Sequence, residues 1–168
     1  MSYVTLLQLA ESPGALELAQ VASTGHEAVV DAELLDVSLR GGDRSAWASP
    51  EVAAADEALE RINAAIVETD GLIEGYIGGR YTVPLASVPV ILAGWARAIV
   101  RYKLHPWRDG EERTDPVVRD YRDAIKFLSL IAEGKFSLGA SDPAQIPTAP
   151  ADVRFSPGAK VFGREYLP

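Results

Sequence analysis

Apolar residues at helical spacing mark three long stretches of the chain. In the first, Val52, Leu59, Ile62, Ile66 and Ile73 fall on one side of a 3.6-residue repeat, with Glu57, Glu60, Arg61 and Glu68 outside it. Ser49-Pro50 predicts its start, because serine caps the free amides and proline at the first helical position has no amide to leave unpaired. Glu57 and Arg61 have the spacing of an i,i+4 ion pair. Gly71 and Gly75 each weaken a helix by ~1 kcal/mol relative to alanine, yet would let another backbone approach closely. Gly78-Gly79 predicts the stop, with Gly79 a candidate for a left-handed cap. A second helix, Val90 to Leu104, opens at Pro89, carries Leu92, Trp95, Ile99 and Val100 on its apolar face, and closes at His105-Pro106. The third opens at Asp115-Pro116 and runs through Val118, Tyr121, Ile125, Leu128 and Ala132 to Gly134.

The flanks are weaker. Thr5 and Gln8 have capping-box spacing ahead of Leu6, Leu7 and Leu9, so a short helix starts there. Pro13-Gly14 breaks it and Ala15 to Ala22 resumes as a second. Residues 24–48 read as an excursion, in which Ala28 to Leu39 could be helical, Gly41-Gly42-Asp43 ends that stretch and Trp47 stands alone. Arg80-Tyr81-Thr82-Val83-Pro84-Leu85 reads as an extended crossover that Arg80 and Tyr81 anchor, since the residue before proline avoids the helical region. Beyond Gly139, prolines at 143, 147, 150 and 157 exclude any helix and leave two short strand candidates, Val153-Arg154-Phe155 and Val161-Phe162. The expectation is a mainly α fold: a small helical bundle over residues 1–139, with 24–48 a candidate insertion, and an extended C-terminal arm over 140–168.

Composition narrows the function. At 168 residues with nearly half of them apolar, the chain has enough material for one core. The lack of cysteine removes disulfides, thiolate metal sites and a cysteine nucleophile. No apolar run approaches the ~20 residues that span a bilayer, and the first residues carry no signal-type pattern, so neither membrane insertion nor secretion by that route is expected. A net charge of −8 repels phosphate and argues against a dedicated nucleic-acid binder. Arg97, Arg101 and Lys103, with His105 at the helix end, form the best basic cluster, and ion pairs with acidic neighbours are its default reading.

Catalytic chemistry is hard to assemble. His26 and His105 are far apart in sequence, without the spacing that fixes a metal. The acidic run Asp109, Glu111, Glu112 and Asp115 lacks the ligand alternation of a calcium loop. Gly75 to Arg80 follows a helix instead of a strand and lacks the lysine-hydroxyl pair of a phosphate loop. No serine has a nearby base. Neither catalytic, metal-binding nor cofactor-binding residues are expected, and the chain reads as no enzyme. Trp47 and Trp107 stand in loops, where isolated aromatics serve as interface anchors, and Phe155, Val161, Phe162 and Tyr166 are candidate anchors along the arm.

A resemblance takes the reading further. Asp70 through Leu85, DGLIEGYIGGRYTVPL, resembles the central signature of a Mu-like phage protein family of formerly unknown function, in which a helix runs into G-Y-x-x-G-R-Y-x-x-P-L. Gly75, Gly78, Gly79, Arg80, Tyr81 and Pro84 occupy that signature as a structural turn. Val88 to His105, Tyr121 to Gly139 and the ending KVFGREYLP from Lys160 are similar to further blocks in the same order. Residues 24–48 are longer than the connection usual in that family. The resemblance implies a head-to-tail connector, or adaptor, of a tailed phage: a virion protein made in the host cytoplasm and placed at the neck. It would form a ring, twelvefold by resemblance, between the portal protein and a tail-side neck or tail-terminator protein. Genomic DNA would pass through the lumen without tight binding. The alternative is a small helical DNA-binding regulator, which would need a helix-turn-helix and a basic face.

Overall fold

A computed structural model describes residues 2–23, 29–105 and 115–139. The helices are α1 (Leu6–Leu9), α2 (Ala15–Ala22), α3 (Ala32–Leu39), α4 (Ser49–Ile77), α5 (Val90–Leu104) and α6 (Pro116–Ala132), and no strand occurs among the described residues. The fold is mainly α, as the periodicities predict. The C-terminal arm lies outside the described residues.

The N-terminal capping box forms as its spacing requires: Gln8 N–H donates to Thr5 Oγ1 at 3.2 Å, and Thr5 N–H donates to Gln8 Oε1 at 3.0 Å. The break at Pro13-Gly14 is also present, with Ser12 extended and Gly14 at φ +98°, a conformation that suits glycine. The excursion between 24 and 48 proves less irregular than its sequence suggests. Asp31 caps α3 by accepting from Leu34 N–H at 2.9 Å, and α3 buries Leu34, Leu35 and Leu39 against α2 and α4. Short and capped by an ordinary aspartate, α3 has too few turns for a convincing period, yet it completes the core.

At 29 residues, α4 is about 43 Å long and is the spine on which the other elements pack. Its buried face is Ala55, Ala58, Ile62, Ala65, Ile66, Thr69, Ile73 and Ile77, while Val52 and Leu59 are only half-buried. The inner face is thus narrower and richer in alanine than the large residues alone suggest. Buried Thr69 satisfies its hydroxyl by donating to Ala65 O at 2.7 Å. The start differs by one residue from the sequence expectation. Ala48 is the cap, with its N–H donating to Glu51 Oε2 at 2.9 Å, so Glu51 does the capping and Ser49-Pro50 form the first turn. Glu57 and Arg61 do not pair: Arg61 reaches across to the last carbonyl of α2, Ala22 O, at 2.8 Å. That carbonyl lies at a helix end, where it has no intrahelical donor.

On one side of α4, α5 and α6 complete a three-helix bundle; on the other, α3 joins it, with α2 alongside. The first residues run back along the spine, where buried Tyr3 donates its N–H to Asp70 Oδ1 at 3.0 Å. Burial is the main reason the Tyr3 phenol sits above its ordinary pKa; Leu85 N–H opposes the shift, and Glu74 and Asp70 add to it. The buried face of α6 is Val117, Val118, Ala124, Leu128 and Ile131, so Ala132, placed on the stripe by periodicity, is exposed. Tyr121, expected on the apolar stripe, instead stacks half-buried on Tyr102 of α5, with ring centroids 3.9 Å apart.

The α4 exit corrects the assignment of its glycines. Gly79 is not left-handed, and a Cβ there would meet nothing. Gly71 and Gly75 also face open space, so neither permits a close approach within this molecule. The constrained position is Gly78, where a Cβ would lie 2.8 Å from Glu74 O. Gly78→Ala is therefore expected to cost about 1 kcal/mol or more and to lower the thermal midpoint by roughly 2–4 °C, whereas Gly79→Ala leaves it within about half a kcal/mol. Equal midpoints for the two variants in calorimetry would contradict this.

Candidate functional site

The residues of the central signature converge on the end of α6. That helix finishes in a Schellman arrangement: Gly134 is left-handed at φ +78°, Lys135 N–H donates to Leu130 O at 2.8 Å, and Gly134 N–H donates to Ile131 O at 3.0 Å. Arg80 completes it. Its Nη1 donates to Ile131 O at 3.0 Å and to Phe136 O at 3.3 Å, placing a permanent cation on the negative end of the α6 dipole. The same nitrogen stands 3.4 Å from where a Cβ on Gly134 would be, so a larger residue there would crowd the guanidinium as well as strain the backbone. Next to it, buried Tyr81 accepts a hydrogen bond on its hydroxyl from Leu138 N–H at 3.0 Å. Arg80 and Tyr81 thus clamp residues 131–138 onto the α4–α5 connection.

Around this clamp lies an aromatic cluster. Trp95 of α5 stacks on Phe127 of α6 at 5.3 Å between centroids, and Phe136 meets both edge-on at 5.9 and 5.6 Å. All three are half-buried, so Trp95 is a rim residue rather than a core one. Of the other sequence candidates, Pro84 is exposed on the connection, and Trp47 packs half-buried against the core before α4. Trp47 is therefore held by its own chain. Trp107, Phe155, Val161, Phe162 and Tyr166 lie outside the described residues.

The basic cluster on α5 is largely engaged. Arg101 forms a two-pronged pair with Glu17 of α2, at 2.5 and 2.6 Å, which raises its pKa further. His105 Nδ1 lies 2.6 Å from Arg101 O, and its Nε2 faces the same Glu17 at 3.4 Å. Lys103 pairs with Glu68 of α4 at 2.8 Å, and that contact holds the Glu68 carboxyl below its usual range. These pairs tie α5 to α2 and α4. Beside them opens a cleft of about 370 Å³ lined by Ser12, Glu17, Arg97, Arg101 and Asp120 among others. It brings together no base and nucleophile in contact. Among the described residues no three His, Asp or Glu side chains are grouped to hold a metal ion, and no helix is long and apolar enough to cross a membrane.

Comparison with known proteins bears on the same residues. The family described as "Bacteriophage Mu, Gp36" matches residues 3–156, most of the chain. The chain belongs to the bacteriophage Mu Gp36 family. Among its relatives is the Mu-like prophage FluMu protein gp36 of Haemophilus influenzae, 34% identical over 122 residues that cover 73% of this chain and 82% of that protein. Gene product J of Escherichia phage Mu is 26% identical over 132 residues, covering 78% and 84%. The Gp36 match runs through residues 24–48 and takes in the whole clamp, from Arg80 and Tyr81 to Gly134 and Leu138. It stops before Lys160, so the likeness of the final KVFGREYLP is not part of it.

The Gp36 signature is legible in sequence as a turn, but its partners are not, because Arg80 and Tyr81 find them more than 50 positions away. Gly134 gives a local signal as a glycine just after a helical stripe. Glu17 gives none. The clamp predicts that Arg80→Met, which removes the donor shared by Ile131 O and Phe136 O, and Tyr81→Phe, which leaves Leu138 N–H without its acceptor, both speed amide exchange at residues 135–138 by about tenfold, equivalent to ~1.4 kcal/mol. Exchange followed by NMR checks this, with the amides of α3 as an unaffected reference.

Proposed function

We propose that this Gp36-family protein is a structural component of a tailed-phage particle: a head-to-tail connector, or adaptor, whose copies form a ring under the portal and join the DNA-filled head to the tail. Family membership is the observation that carries this reading, and the resemblance of family members to helical connector proteins supplies the connector role. The particle neck would be its place, after synthesis in the host cytoplasm. Portal protein on one side and a tail-side neck or tail-terminator protein on the other would be its neighbours.

Physical features favour such a role over the alternatives. A body whose helices are tied by long-range ion pairs and capped helix ends suits a part that bears load between assemblies. Of the three α5 cations, Arg97, Arg101 and Lys103, the last two are already engaged by Glu17 and Glu68. With the overall charge of −8, that favours a conduit through which DNA slides over a DNA-binding regulator. The reading assigns neither cofactor nor catalysis. Within residues 140–168, Phe155, Val161, Phe162 and Tyr166 would be the anchors for neighbouring proteins.

Infection with phage carrying a nonsense mutation in this gene tests the proposal. Filled heads and complete tails should accumulate separately, and adding the purified protein should restore joined, infectious particles. Normal joining without the protein, or a block earlier in head or tail assembly, would refute it.

A further inference from the structure

The cleft between the α1–α2 break, α5 and α6 holds one cation that has no counter-charge of its own. Glu17 takes both prongs of Arg101, and Asp120, which also lines the cleft, is met by Arg119 at 2.9 Å. Arg97, about one turn before Arg101 on α5, is half-buried in the same cleft, yet among the described residues it makes no ion pair or hydrogen bond. Its guanidinium presents five N–H donors in a fixed fork, and the two carboxylates nearest in the cleft are served elsewhere. Gly94, three residues earlier on the same helix, lines the cleft as well. A Cβ there would meet Arg97 Nη2 at 4.0 Å and nothing closer, so packing inside the molecule does not require a glycine that weakens the middle of α5 relative to alanine. What the glycine does is keep the space in front of the guanidinium bare. Ser12 adds an exposed hydroxyl at the edge of the cleft.

We infer that this cleft is a carboxylate-binding site that receives one aspartate or glutamate side chain of a partner protein. The inference deepens the connector reading, on which it rests for the partner's place in the particle but not for the chemistry of the cleft. One carboxylate neutralises the one uncompensated cation, and the planar fork of Arg97 matches its two oxygens. Nucleic acid suits the cleft less, because successive phosphodiesters would bring further negative charge alongside Glu17 and Asp120 on a chain whose own charge is −8. A free small molecule gains little there, since Pro13 and Ala98 are the apolar walls of a site otherwise polar. A side chain delivered on a partner's surface is held by the rest of that contact and needs from the cleft only the charge and the fork. Such a pair fixes orientation between neighbours more than it adds affinity.

The test is NMR on the purified full chain, titrated at constant low ionic strength with N-acetylglutamate α-amide, which carries one side-chain carboxylate. N-acetylglutamine α-amide serves as the neutral isostere, succinate as a free small carboxylate and oligothymidylate as a phosphodiester chain. The glutamate probe should give saturable shifts in the millimolar range at Arg97 Nε–H and at the amides of Gly94 and Ser12, the glutamine probe none, and the other two no tighter binding than the glutamate probe. Arg97→Gln should weaken that binding by about tenfold or more. Lys126→Gln, which removes an exposed cation of α6 outside the cleft, should leave it unchanged. Gly94→Leu fills the cleft with a side chain that suits a helix, so it should weaken binding as Arg97→Gln does without lowering the thermal midpoint, which separates loss of the site from loss of the fold. Shifts absent or confined to other surfaces, equal effects of Arg97→Gln and Lys126→Gln, or tighter binding of succinate or oligothymidylate would overturn the inference. Because no particle is involved, this outcome is independent of whether heads and tails join without the protein.

Discussion

The last carbonyls of α6 point away from any donor of their own helix, and much of the architecture can be followed from how they are served. A left-handed glycine folds the chain back so that the amides of Gly134, Lys135 and Phe136 reach Ile131 O and Leu130 O, and the Arg80 guanidinium, just past α4, adds a second donor at Ile131 O. That one contact fixes the α4–α5 connection to the segment leaving α6, while α5, lying between, is held by both. Arginine suits the position because it keeps its charge when half-buried and a single nitrogen, Nη1, reaches both Ile131 O and Phe136 O. Arg61 does the same for the end of α2. Arg61 on the spine and Arg80 just past its end thus close two helix ends that come from opposite directions in sequence.

The distribution of charge follows a related logic. Carboxylates outnumber cations, yet several of the cations on α4 and α5 are used to join elements: Arg101 to Glu17, Lys103 to Glu68, Arg44 to Asp56 just before and within α4. Exposed pairs of this sort contribute little individually, on the order of 0–1 kcal/mol, but the Arg101 pair is two-pronged and only about a quarter exposed, so it counts for more. What this leaves is an uneven surface, with exposed carboxylates at Glu51, Asp56, Glu57 and Glu60 on α4 and no exposed charged residue between Gly71 and Ala96.

How much of this was readable in advance depended on range. Helix starts and stops are local, and Thr5 with Gln8, Pro13-Gly14, Pro89 and Asp115-Pro116 all act where their residue types predict. The mistakes are those of a one-dimensional reading. Glu57 and Arg61 have the right spacing, but a free carbonyl across the fold competes better for the arginine. Gly79 has the right residue type for a left-handed cap, but the chain needs its tight approach one position earlier, at Gly78, and its left-handed turn at Gly134. Within residues 24–48 the helix allowed from Ala28 to Leu39 forms from Ala32, after the Asp31 cap, because two turns are too short for a period to mark where they begin. In the signature, the turn was visible and its purpose was not, since Ile131, Phe136 and Leu138 become neighbours only on folding.

A cryo-electron microscopy reconstruction of the assembled particle tests the connector account most directly. The account predicts density for this chain as a closed ring between portal and tail, with α6 and its clamp intact in every subunit. Density for the chain in the capsid shell or along the tail tube, with the neck made of other proteins, would contradict it.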